Sequence, residues 1–137
     1  MNFTQLWLPP PGKVLFFLDT CYAGAFTQGI RSGDTQPDID RLVNELADAE
    51  TGAVVFASST GRQVSIEDKR WNNGAFTKAL PGGLGGKADL NRERAVRVNG
   101  LASYLANRVK ELTGGKQSPV MVAPKTVVED FPIAAVL

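Results

Sequence analysis

One thiol in this chain stands where chemistry could be done with it. Cys21 follows the apolar run Val14, Leu15, Phe16, Phe17, Leu18 by three residues, in the segment Asp19, Thr20, Cys21, Tyr22, Ala23, Gly24. An unbroken apolar run of that length suits a strand buried on both faces, as in a parallel sheet covered by helices. The thiol then lies just past the carboxyl end of a parallel strand, where open α/β sheets form their ligand crevice. Nucleophilic catalysis is one use of such a thiol; a small buried hydrophobe is the other. Asp19, two residues earlier on an extended segment, shares the face of Cys21 and directs a carboxylate into the same crevice. A thiolate nucleophile needs an activating base, and the sequence contains no histidine. An unperturbed thiol, with a pKa of ~8.5, is only a few per cent ionised near neutrality. Tyr22 cannot serve as the base, because a phenol titrates near ~10 and this one is adjacent in sequence to the residue it would serve.

The elements that must position these residues read as one domain. Its 137 residues are 43% apolar and 21% charged, an ordinary globular composition. The balance of 15 basic against 14 acidic residues excludes the concentrated positive field of a nucleic-acid binder. One cysteine excludes an intrachain disulfide and leaves no ligand set for structural zinc, which points to a reducing compartment. The start, MNFTQLWLPPPGK, lacks a basic leader, and no apolar run spans a bilayer, so a cytoplasmic protein without membrane contact is expected.

Along the chain, residues 1–12 form a lead, 13–24 the strand and turn bearing the thiol, 25–37 a polar loop, and 38–137 the remainder of a single domain. Asp38 is placed to cap a helix with Ile39, Leu42, Val43 and Leu46 on one face. Ala53 to Ala57 (AVVFA) suits a second buried strand, and strand, helix, strand implies a parallel crossover. Asn73 is a candidate cap for a short helix burying Phe76, Ala79 and Leu80 and stopped by Gly82 and Gly83. Leu101, Tyr104, Leu105, Val109 and Leu112 mark a longer helix ending at Gly114 and Gly115. The tail, broken by Pro119, Pro124 and Pro132, offers one edge strand.

Two other motifs fail on inspection. GGLGGKA around Lys87 is not a phosphate loop, since Pro81 occupies the first glycine position and Ala88 that of the Ser or Thr. Asp89, Asn91 and Glu93 do not complete a calcium loop, since Arg94 stands at the glycine position and no bidentate Glu closes it.

The motif DTCYAGA, at the end of its buried strand, resembles the nucleophile motif of caspase-like cysteine peptidases, in particular bacterial relatives of metacaspases. The family pattern is an acidic residue, a small residue, then Cys, His, Ser, Gly; Asp19, Cys21 and Gly24 match, while Tyr22 and Ala23 depart from it. VVFASSTGRQVSIED is similar to the next core strand and substrate-binding segment, NGAFTKAL to the following helix start, and LTGGKQSPV to a C-terminal turn. The resemblance runs from Lys13 to Phe131 in the family's order.

It implies a caspase-like three-layer α/β sandwich, a mostly parallel sheet with helices on both faces, truncated at its N-terminus. It also implies a cysteine endopeptidase with Cys21 as nucleophile. The histidine and one oxyanion donor lie, in the family, on a loop after the preceding strand, so the chain alone is expected to be inactive. Its partners would be a peptide or protein substrate and the missing N-terminal half or a His-bearing chain. Asp19 and Glu67 replace the glutamine and arginine of the caspase specificity pocket, which turns it acidic and suits Arg or Lys. The alternative is that Asp19 caps the following turn and Glu67 joins a solvated cluster with Asp68, Lys69 and Arg70. Gln63, Val64 and Ser65 fall on the edge to which substrate backbone adds. Arg31, the one basic residue of the 25–37 loop, is the expected self-cleavage point in an intact relative. No cofactor is expected; calcium dependence occurs in the family, but no site is identifiable. A non-catalytic pseudopeptidase or regulatory half-domain is the rival reading, and an unrelated flavodoxin-like binding domain a third.

Overall fold

A computed structural model describes residues 13–19, 53–59, 67–68, 73–124 and 130–137, with 67, 68 and 73 as backbone. Among the described residues the architecture is mixed α/β, with small sheets and two helices. Strand β1 (Leu15–Leu18) pairs in parallel with β2 (Val54–Ala57), Leu15 opposite Val54 and Leu18 opposite Ala57. Two bonds carry the pairing past its ends, from Val54 N–H to the Val14 carbonyl and from Ser58 N–H to the Leu18 carbonyl, each 2.9 Å.

β2 is buried at every residue because its two faces meet two apolar clusters. Val54 and Phe56 enter the main core, whereas Val55 and Ala57 pack with Leu18, Val120 and Val122. Its other edge pairs antiparallel with a strand formed by Val120–Val122, so the sheet is mixed. β1 was expected to be covered on both faces and is not. Leu15 and Phe17 pack on the core, Phe17 stacking on Phe56 at 5.1 Å, but Phe16 on the opposite face is 37% exposed. Among the described residues β1 is an edge strand, and Phe16 belongs to neither of the apolar clusters that cover the faces of β2.

Two-residue strands β3 (Glu67–Asp68) and β4 (Asn73–Gly74) pair antiparallel and lead into helix α1 (Ala75–Gly82). The expected cap Asn73 belongs to β4, and the capping position is Gly74, which makes no side-chain cap bond. Phe76 and Ala79 are buried as predicted, whereas Leu80 is only partly buried against the core. Pro81 has no N–H to return to the previous turn, so α1 stays short and widens into a π-type turn, Gly83–Lys87. That turn reaches the second helix because Gly83 has no side chain: a Cβ there would lie 2.8 Å from Leu101 Cδ1 and Tyr104 Cδ1.

The tail was expected to provide one edge strand and provides two. The first, Val120–Val122, is numbered β6; the second, β7 (Pro132–Ala135), pairs antiparallel with β5 (Ala95–Arg97). The β5–β7 register shifts between Val96 and Arg97, where Arg97 faces Pro132, a residue with no N–H to give the ladder. Helix α2 (Val98–Leu112) buries Val98, Leu101, Leu105 and Val109, a three-four spacing that lays one stripe on the core. Its N-terminus is completed from outside, the Asp130 carboxylate accepting from Asn99 N–H at 2.9 Å. It ends through Thr113, whose hydroxyl donates to the Val109 carbonyl at 2.8 Å, and through Gly114 and Gly115 at φ 62° and 82°.

The main core joins β2, α1, α2 and β5 through Phe56, Phe76, Leu101, Leu105 and Val96. Each side chain of that size contributes about 1.5–3 kcal/mol by leaving water. No described helix is long and apolar enough to cross a membrane. The predicted helix after Asp38 lies outside the described residues.

Candidate functional site

β1 and β2 run in parallel and end side by side, so Asp19 and the pair Ser58–Ser59 emerge together at their carboxyl ends. This is the edge at which an open α/β sheet presents its crevice. Both serines are buried, at 0% and 4% exposure, and the β2 terminus is held from a distance. Gln117, itself fully buried, donates from Nε2 to the Ser58 carbonyl at 2.7 Å, while its N–H donates to Thr113 Oγ1 at 3.2 Å. The LTGGKQ turn thus braces the strand end through a hydrogen bond spanning 59 positions.

Asp19 is half-buried, and its two carboxylate oxygens have different surroundings. Oδ2 accepts a hydrogen bond from Thr77 Oγ1, in the first turn of α1. Oδ1 is out of contact with water and has no donor among the described residues. Such an oxygen is costly to leave unmatched, by about 1–3 kcal/mol and more for a charged group. Gly74 makes the approach of α1 to the carboxylate sterically feasible, since a Cβ there would lie 3.0 Å from Oδ2 and 3.4 Å from Oδ1.

Gly74 also pairs with Glu67 across β3–β4, so the residue beside the Asp19 carboxylate is the residue opposite Glu67. The backbone topology brings positions 19 and 67 to one neighbourhood. Cys21, Arg31, Gln63, Val64 and Ser65 lie outside the described residues. Sequence reasoning missed Thr77 and Gln117. Neither carries a local signal, because Thr77 sits on the exposed side of a short helix and Gln117 follows a glycine turn.

Chemically, the arrangement is a half-buried carboxylate whose hydrogen-bonding capacity is only partly filled among the described residues. A carboxylate with one oxygen oriented by a hydroxyl and the other without a donor suits a guanidinium or ammonium, and no lysine or arginine is bonded to it among the described residues. Among those residues there is also no group of three or more His, Cys, Asp or Glu able to hold a metal ion. Comparison of the chain with protein-family models, curated proteins and solved structures finds no match.

Proposed function

We propose that this chain is the nucleophile-bearing and specificity-bearing part of a caspase-like cysteine endopeptidase that cleaves after Arg or Lys. Two things support the reading: the run of motifs from DTCYAGA to LTGGKQSPV, and an Asp19 carboxylate at the carboxyl end of a parallel strand with one oxygen that has no donor among the described residues. The second carries the specificity. In this reading β1 and β2 belong to the central sheet of a three-layer sandwich, and the substrate's basic side chain donates to Asp19. Glu67 adds negative charge, and Gln63, Val64 and Ser65 pair with substrate backbone.

The Cys21 thiolate attacks the carbonyl carbon of the bound Arg or Lys residue and the nitrogen of the next residue leaves protonated, giving a thioester that water hydrolyses. The imidazole that removes and returns the proton comes from outside these 137 residues, either from the rest of the domain or from a partner chain. No cofactor takes part, and the enzyme works in the cytoplasm on peptide or protein substrates. The absence of histidine favours one rival, a non-catalytic module that binds basic segments without cutting them.

The test uses affinity labels rather than turnover. The chain is treated with peptidyl acyloxymethyl ketones ending in Arg or in Asp, with iodoacetamide as a control for the thiol, and Cys21 adducts are measured by mass spectrometry. The Arg label should react faster than the Asp label. Asp19→Asn should slow the Arg label on the order of tenfold or more, matching the about 1.5–3 kcal/mol of a charge-assisted hydrogen bond, with iodoacetamide labelling unchanged. Equal rates for both labels, or indifference to Asp19→Asn, would remove the pocket. A binding-only module would show the Arg preference in peptide binding but not in labelling of the thiol.

A further inference from the structure

Thr77 has a second neighbourhood. Besides bonding Asp19, it lines a recess of about 410 Å³ between α1 and α2 whose charged lining residues are Lys78, Lys87 and Arg108. Among the described residues no acidic side chain lines this recess, although the chain as a whole is nearly neutral at +1. Lys78 and Lys87 are exposed and form no ion pair among the described residues. Arg108 shares its charge with Glu111 at 3.0 Å, outside the lining.

Gly82 shapes the floor. A Cβ there would lie 3.1 Å from the Tyr104 hydroxyl and 3.5 Å from Lys87 Cδ, so its absence lets both converge on one spot. A second recess, about 180 Å³ beside Arg97, differs in kind because its charges are already paired. There Arg97 donates to Glu93 at 2.8 Å and to the Asp130 carbonyl at 2.6 Å, and the Glu93 bond raises the guanidinium above its ordinary pKa.

We propose that the Lys78–Lys87–Tyr104 recess is a subsite for an acidic side chain of the polypeptide bound at Asp19. This rests on the peptide-binding reading above. Thr77 touches both places, so a segment laying a basic residue on Asp19 brings its flanking residues to the recess. The two centres have opposite charge and select a segment with an acidic residue near the basic one. A carboxylate fits the chemistry: two flexible ammonium groups act as point charges and the phenol gives one directed O–H. The one planar fork, Arg108, is already engaged by Glu111. A basic flanking residue is disfavoured at the same spot, which adds discrimination.

The test is peptide binding to the 137-residue chain, read by fluorescence anisotropy and independent of cleavage. Two labelled peptides each carry one Arg; one has Glu on both flanks and the other Gln. The Glu peptide should bind roughly threefold to tenfold tighter at low salt, the range expected of exposed ion pairs. That gain should vanish in the Lys78→Gln, Lys87→Gln double variant and at ~1 M salt, where charges are screened within about 3 Å. The Gln peptide should bind both proteins alike, and circular dichroism should show both folded.

Equal binding of the two peptides, or a gain that survives the double variant, overturns the subsite. Inorganic phosphate at constant ionic strength should compete only weakly; loss of the gain at low phosphate would make this a phosphate site and overturn the carboxylate assignment. Asp19→Asn separates the two readings. If it weakens neither peptide while the Glu gain persists, the recess stands and the Asp19 pocket falls.

Discussion

Asp19 follows directly on β1 and Asp89 stands two residues past the π-type turn, and the protein uses them in opposite ways. Asp89 comes just after the π-type turn and is matched locally, its two oxygens accepting from the N–H groups of Glu93 at 3.1 Å and Arg94 at 2.9 Å. Those bonds hold a turn in which Arg92 and Arg94 adopt left-handed conformations, φ 54° and 61°. Asp19 is matched on one oxygen only, by a residue 58 positions away, and its other oxygen has no donor among the described residues. A carboxylate that builds a turn has its acceptors filled by nearby backbone. One left partly unfilled is a buried acceptor that the described residues do not satisfy.

The largest effect that sharpens this contrast is expected at Asp89. Asp89→Ala removes both acceptors from a strained turn and should destabilise the protein by about 1–2 kcal/mol, roughly 4–8 °C in Tm. A Tm within a degree of the parent would mean that the turn is held by β5 and β7 instead. Next is the Thr77–Asp19 pair, best measured as a double-mutant cycle. Thr77→Val should cost about 1 kcal/mol, because it leaves both carboxylate oxygens without a donor, and Asp19→Asn should cost less than that or be neutral. The combined variant should recover part of the Thr77→Val loss. Strict additivity in denaturant melts would show that the hydroxyl does nothing for the carboxylate. The smallest effect is a gain: Arg94→Gly exchanges left-handed strain for extra freedom in the unfolded chain and should stabilise by about 0.5 kcal/mol. A loss of stability at that position would show that the Arg94 side chain makes a contact stronger than the strain it imposes.

Legibility followed length and periodicity. AVVFA reads as a buried strand and is one, because five apolar residues have no polar face to show and β2 occupies the middle of its sheet. LASYLANRVKEL reads as a helix, and the structure adds only its first turn, back to Val98. β5 was not legible, since three residues carry no period and Ala95–Arg97 becomes a strand only where β7 lies beside it. Phe16 misled in the other direction. The unbroken run around it reads as covered on both sides, yet coverage is a property of what packs over each face, and Phe16 belongs to neither apolar cluster of the described residues.

Taken alone, the sequence determined what is local: the two β-rich apolar runs, the stripe of α2, the glycine stop at Gly114 and Gly115, and the placement of Asp19 directly after a strand. These depend on side-chain spacing and backbone conformational preference, which a few adjacent residues set among themselves. Tertiary structure decided which distant groups meet. Thr77 reaches Asp19, Gln117 reaches Ser58, Asp130 reaches Asn99, and Lys78 and Lys87 come to one recess across α1 and the turn after it. No propensity encodes such pairs, because each depends on the close approach of elements packed over a common core, and at Gly83 that approach requires the absence of a side chain while at Gly74 it is eased by it.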